Sequence, residues 1–131
     1  FNLASLYGHS KQFTQAIAEY EQADTLYKAT GKYHPPQFHT DVARAHEQAG
    51  IELGREQNFQ EALVHFKKAV GHNPKLLSAR FNLAKLLLEF KNDTKNAEIH
   101  LKAALTLNPT AQQAKILKDL LKQGHTTKKK P

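Results

Sequence analysis

The sequence predicts an all-α protein, an α-solenoid of antiparallel helix pairs closed by a C-terminal capping helix. Three observations predict it. Apolar and small residues recur three and four apart through most of the 131 residues, which is the period of one helical face. Strand-type alternation is nowhere sustained. A small/large pattern also returns three times in phase. It reads Leu3-Ala4-x2-Tyr7 with Ala16-x3-Tyr20-x2-Ala23, then Ala49-Gly50-x2-Leu53 with Ala62-x3-Phe66-x2-Ala69, then Leu83-Ala84-x2-Leu87 with Ala97-x3-Leu101-x2-Ala104. The first and last copies open on the same Phe-Asn-Leu-Ala, at residues 1–4 and 81–84. A unit repeated within one chain buries its apolar face against its neighbours, and arrays of this kind bind rather than catalyse.

The first pair is expected as a truncated helix over residues 1–7 and a partner over 13–30. Gly31 can take the left-handed conformation that ends a helix, and Pro35-Pro36 forbids continuation. The second pair spans 37–57 and 59–71, closed by Asn73-Pro74. The third spans 75–90 and 94–107, closed by Asn108-Pro109. A last helix over 110–123 is expected to stop at Gly124. Residues 1–124 then make up the repeat domain, and 125–131 a polar, basic tail expected to be disordered.

The small residues have a steric reading. Ala4, Gly50 and Ala84 fall where the two helices of a pair approach closely, and Ala16, Ala62 and Ala97 offer the facing small surface. Tyr20, Phe66 and Leu101 are expected to fill the space between one pair and the next, each worth roughly 1.5–3 kcal/mol when fully buried. Tyr7, Leu53 and Leu87 complete the seam. Because the first helix is truncated, Tyr7, Ile17 and Tyr20 are expected to form a partly bare apolar end, open to self-association.

Composition narrows the function. With no Cys there is no disulfide framework, thiolate nucleophile or Cys-type metal site. No apolar run approaches the ~20 residues of a membrane span. The net charge of +7 sits mostly at one end: six of the 19 Lys/Arg lie beyond residue 109, with Asp119 the one acid there. A nucleic-acid surface across the whole fold is therefore not expected. Nothing fixes the compartment, and a cytoplasmic one is slightly favoured. The chain has no Met and opens part-way through a repeat, so it is expected to be a piece of a longer polypeptide.

On these motifs the chain, over residues 1–123, resembles the tetratricopeptide repeat family. The interval from Ala62 to Ala97 is one residue longer than that family's 34-residue period, while Ala16 to Ala62 is longer still. The stretch Leu26-Tyr27-Lys28-Ala29-Thr30-Gly31-Lys32-Tyr33-His34-Pro35 resembles the long-helix variant of kinesin light chains. The family's early Trp is replaced by His46 and Arg80, which implies looser packing at that seam. The resemblance implies a right-handed superhelix whose concave face is lined by the first helix of each pair. Aligned by motif, that face carries Phe1, Asn2 and Ser5, then Glu47, Gln48 and Ile51, then Phe81, Asn82 and Lys85. Of these, Asn2, Ser5, Gln48, Ile51, Phe81, Asn82 and Lys85 are the candidate partner-binding residues. Asn2, Gln48 and Asn82 are equivalent, and an amide at that site can both donate to and accept from the backbone of an extended peptide. The family's clamp for a C-terminal carboxylate needs basic and amide residues where Phe1, Ser5, Ser78 and Asn82 stand, so a chaperone-tail receptor role is not expected.

Other chemistry is sparse. His65 and His100 precede Phe66 and Leu101 as Glu19 precedes Tyr20, an exchange that suggests an exposed helix face. His34 and His39 flank Pro35-Pro36-Gln37-Phe38, with no third metal ligand at useful spacing. His46 is expected to cap the seam between helices. The glycines form no phosphate-cradling loop, no serine sits in a nucleophile elbow, and carboxylates such as Glu52 and Glu56 fall on solvent faces. No catalytic, cofactor-binding or metal residue is read. Lys115, Lys118 and Lys122 lie opposite Ala114, Leu117 and Leu121, the two faces of a capping helix, with Lys128-Lys129-Lys130 beyond. The sequence is thus read as a non-catalytic scaffold for a protein or peptide partner. The alternatives are an accessory domain of an enzyme whose catalytic part lies elsewhere, and a self-association module.

Overall fold

The computed structural model describes the backbone of residues 3–32 and 34–129 and the side chains of residues 12–32 and 34–124. Its secondary structure is helical throughout: α1 (Leu3–Thr30), α2 (Phe38–Arg55), α3 (Phe59–His72), α4 (Leu77–Glu89), α5 (Thr94–Leu105) and α6 (Ala111–Lys129). The chain forms two compact units, Phe1–Asn73 and Pro74–Pro131.

In the first unit α1 packs on α2 and α2 on α3. Phe38, 7% exposed, anchors α2 to α1. Tyr20 and Tyr27 meet its ring edge-on at centroid distances of 5.9 and 5.7 Å, a geometry the aromatic quadrupole favours. The α2–α3 hairpin closes over small residues. Ala62 and Ala69 are wholly buried, and a Cβ built on Gly50 would lie 2.7 Å from Cε1 of Phe66. Phe66 therefore fills space inside its own hairpin, where the repeat pattern alone places it between pairs. Glycine at position 50 leaves that ring its room.

The second unit repeats the hairpin and adds the cap. α4 packs on α5, and α6 packs on both. Leu83, Leu101 and Leu117 are 1% exposed, and Ala84, Ala97 and Ala104 are wholly buried. Asp93 caps α5 by accepting from the Asn96 amide at 3.2 Å, which satisfies one of the free N–H groups at a helix start. Thr110 and Gln113 form a reciprocal capping box for α6. The Gln113 amide donates to Thr110 Oγ1 at 3.1 Å, and the Thr110 amide donates to Gln113 Oε1 at 2.8 Å. The turns inside the two hairpins both hold a left-handed residue, Gln57 (φ 63°) and Asn92 (φ 51°). Gly31, at φ 69°, ends α1 as its position implies.

Three expectations need correction. Residues 8–12, read as a turn, are helical, so α1 is one 28-residue helix and not a short helix with a partner. A single internal glycine costs a helix only about 1 kcal/mol relative to alanine, and no proline stands nearby to stop it. At the other end α6 runs through Lys129, so residues 125–129, expected in a disordered tail, are helical. Gly124 is a packing residue there: it is buried, and a Cβ on it would lie 3.4 Å from Leu88 Cδ2. Finally, the apolar end ascribed to Tyr7, Ile17 and Tyr20 is not bare at the two described side chains. Ile17 is 7% exposed and Tyr20 packs on Phe38.

Candidate functional site

The candidate partner-binding residues divide between the units. On α2, Gln48 is exposed and Ile51 half-buried, three residues apart and so neighbours on one face. On α4, Phe81 and Asn82 are half-buried and Lys85 is exposed, and their spacing again places them on one face. Glu47, aligned with Phe81, is buried at 5% exposure and does not join the exposed set. Ser5 lies on α1, but its side chain, like the whole of Asn2, falls outside what is described.

Beside Phe81 the second unit has a concavity. Leu77, Ser78 and Phe81 of α4 and Gln113, Ile116 and Leu117 of α6 enclose an open pocket of about 180 Å³ with mainly apolar walls. Ile116 is 42% exposed, so the pocket has an apolar rim as well as an apolar floor. Its α6 side is the part that repeat reasoning missed. The signal was an isoleucine just off the buried Leu117 face, one residue out of the packing register.

Two polar pairs occupy the seam where the family's Trp is replaced. Nδ1 atoms of His46 and His65 stand 3.0 Å apart across α2 and α3. At the matching place in the second unit, Arg80 Nη1 donates to His100 Nδ1 at 3.1 Å, while Arg80 Nε donates to the Pro74 carbonyl at 2.8 Å. His46 caps the seam as expected, at 1% exposure. His65 and His100, read as exposed, are half-buried because each turns toward its hairpin partner. Of the carboxylates read on solvent faces, Glu56 is exposed and Glu52 half-buried; with Glu61, Thr14, Ala49, Leu53 and His65 they border a cleft of about 170 Å³ in the first unit. The turn at Gln57 brings Glu61 back beside the other two. Among the described residues no group of three or more His, Asp or Glu could hold a metal ion. No described helix is long and apolar enough to cross a membrane.

Two hairpins of matching register, small residues at the helix crossings and a capping helix define a helical-repeat protein. The chain belongs to the tetratricopeptide repeat family: a model of that repeat matches residues 55–120, about half the chain, and a second matches residues 1–33. The latter span is a single helix here, Leu3–Thr30. Among solved structures, the TPR2B-domain:pHsp70 complex of yeast Sti1 is similar. It has a TM-score of 0.58 and 17% identity, and the alignment covers 90% of this chain and 97% of that one. At that identity the likeness establishes the fold. No curated protein matches the sequence. The family and fold are those of protein-interaction scaffolds.

Proposed function

We propose that this chain is a non-catalytic scaffold that takes a peptide or protein segment on the first helix of a hairpin, with one apolar partner side chain seated beside Phe81. The supporting observation is the pocket of about 180 Å³ between α4 and α6, which opens beside Phe81, the lining residue that the repeat alignment assigns to partner binding. Asn82 and Gln48 stand at equivalent positions, where an amide can bond an extended backbone, and Lys85 adds a cation one turn beyond Phe81. The pocket is built on packed helices, so little ordering entropy is lost when it is filled. The similar yeast domain was solved as its pHsp70 complex, in keeping with a peptide or protein partner, although the residues at the carboxylate-clamp positions differ here.

The test is selection from a displayed random peptide library, followed by affinity measurement on the whole chain. Peptides with a shared apolar anchor are expected. Their affinity should fall about tenfold or more, the worth of one lost anchor of ~1.4 kcal/mol or more, for both Phe81→Ala and Ile116→Ser. Selected peptides that bind both variants as well as the parent would remove the pocket from the mechanism.

A further inference from the structure

The histidines of the first unit do not stand singly. His34, in the connection before α2, has its ring centroid 4.7 Å from that of His39. His39 lies 5.3 Å from His72, His72 stacks on His46 at 5.8 Å with the planes 10° apart, and His46 lies 5.2 Å from His65. The five rings form one continuous run. It starts in the connection, enters α2, crosses to α3, returns to α2 and ends on α3.

Two contacts in the run join nitrogen to nitrogen: His39 Nδ1 to His72 Nδ1 at 3.1 Å and His46 Nδ1 to His65 Nδ1 at 3.0 Å. Such a bond needs a proton on one nitrogen and a lone pair on the other. A pair with both rings protonated sets two N–H groups and two positive charges face to face. With only two nitrogens meeting at each contact, and no larger ligand set among the described residues, the run does not make a metal site.

We propose that this run is an acid-released clasp: neutral, it ties α3 to α2 and to the connection after α1, and as acid adds protons to it the run repels itself and loosens the first unit while the second keeps its fold.

The surroundings oppose protonation. Burial, and after it His65, His72 and Lys68, push the His46 imidazole down to about 4. Burial likewise lowers His65, where Lys68 opposes the proton and Glu61 and Glu21 favour it. His72 is lowered first by burial and then by His39 and Lys28, against Asp24 and Glu21. The acids facing the run from α1 and α3 therefore do not offset desolvation. Asp24 meets the run at its first ring, accepting from His34 Nε2 at 2.7 Å, and also accepts from Lys28 Nζ at 3.1 Å. Solvent reaches the run through an open cleft of about 510 Å³ bordered by His34, His39 and His72 together with Asp24, Lys28 and Lys68. A histidine whose folded pKa is depressed contributes stability that is full above its unfolded value near 6.5. That stability is lost as pH falls from there toward the folded value, about 4 for His46. In the second unit the seam histidine, His100, faces a guanidinium, that of Arg80.

The experiment is two-dimensional amide NMR of the whole chain at about pH 7.5 and about pH 4.5, with heating at each. Amides of residues 34–72 are expected to shift and broaden at the lower pH while those of 77–121 hold. The temperature at which first-unit signals vanish should fall by roughly 5–10 °C. The double variant His46→Phe, His72→Asn should lose most of that fall. Equal response of both units, no response, or a variant as acid-sensitive as the parent would overturn the clasp. If the variant does not fold, ring-proton titration of the parent decides: midpoints for His46 and His72 below that of free imidazole support the clasp, and ordinary midpoints overturn it.

Discussion

Gly50 and Phe66 meet so closely that position 50 has no room for a side chain: a Cβ there would lie 2.7 Å from Phe66 Cε1. The ring is 6% exposed and hemmed in, so it cannot swing aside freely. Alanine would gain about 1 kcal/mol of helix propensity, but overpacking costs typically 1–3 kcal/mol. Gly50→Ala is expected to lower stability by up to ~2 kcal/mol net. Gly54, one turn along α2, has nothing within 4 Å of its notional Cβ, and Gly54→Ala should raise stability by about 0.4–1 kcal/mol. Urea denaturation of both variants checks the opposed signs.

Gln57 holds φ 63° in the turn between α2 and α3. A residue with a Cβ pays about 1–2 kcal/mol there, a cost glycine avoids. Gln57→Gly is expected to stabilise by about 0.5–1 kcal/mol after glycine's larger loss of chain entropy. Asn92, at φ 51° in the matching turn, should gain less from the same change because asparagine tolerates this region. Thermal melts of the two variants side by side would show the ranking.

Asp24 is held below the usual carboxylate range by its bond to Lys28, with the His34 bond helping and burial opposing. Its contribution is present above the unfolded carboxylate value and is lost as pH falls through the lowered folded one. Lys28 is 72% exposed, so solvent screens the pair. Asp24→Asn should cost less than about 1 kcal/mol at neutral pH. The gap to the parent should close in strong acid, and stability measured against pH for both proteins tests this.

Asn82 separates groove binding from capture by charge. If its amide bonds a partner backbone, Asn82→Ala weakens a selected peptide by roughly 0.5–1.5 kcal/mol per net bond, with little change in melting. Shortening the chain by Lys128, Lys129 and Lys130 should matter only for an acidic partner, and less as salt rises. Calorimetric titration at two salt concentrations distinguishes them, and a peptide indifferent to Asn82→Ala but lost with the lysines would place the binding surface elsewhere.

The helices from α2 to α5 were legible to within about two residues because their ends are written in local chemistry: the prolines at 74 and 109, Asp93 as a cap, small residues in phase. The errors arose where one residue type serves two purposes. A break was expected after residue 7 and a stop at Gly124, yet Gly8 is carried within α1 and Gly124 makes room for Leu88. Asn73-Pro74 and Asn108-Pro109 read alike, but Asn73 is extended at φ −138° and Asn108 left-handed at φ 53°. In the candidate site, repeat alignment found Phe81 because the motif fixes its face of α4. It could not find Ile116, because the pocket wall depends on how α6 docks. The histidine run was invisible for a related reason: its members are scattered from 34 to 72 in sequence, and only the closing of the α2–α3 hairpin joins them.

The helix packings described above join chain neighbours, α1 with α2, α2 with α3, α4 with α5 and α5 with α6, and the exception is α4 with α6. Contacts that close over short loops form without a large loss of chain entropy, and proteins built from them fold in microseconds to milliseconds. Stopped-flow refolding of the chain should therefore be largely over within milliseconds. The exception sets an order of events. The surface on which α6 rests is shared by two helices, so it does not exist until α4 and α5 have met. α6 is then the last piece of its unit to arrive, and the Phe81 pocket, walled by it, is the last feature of that unit to take shape.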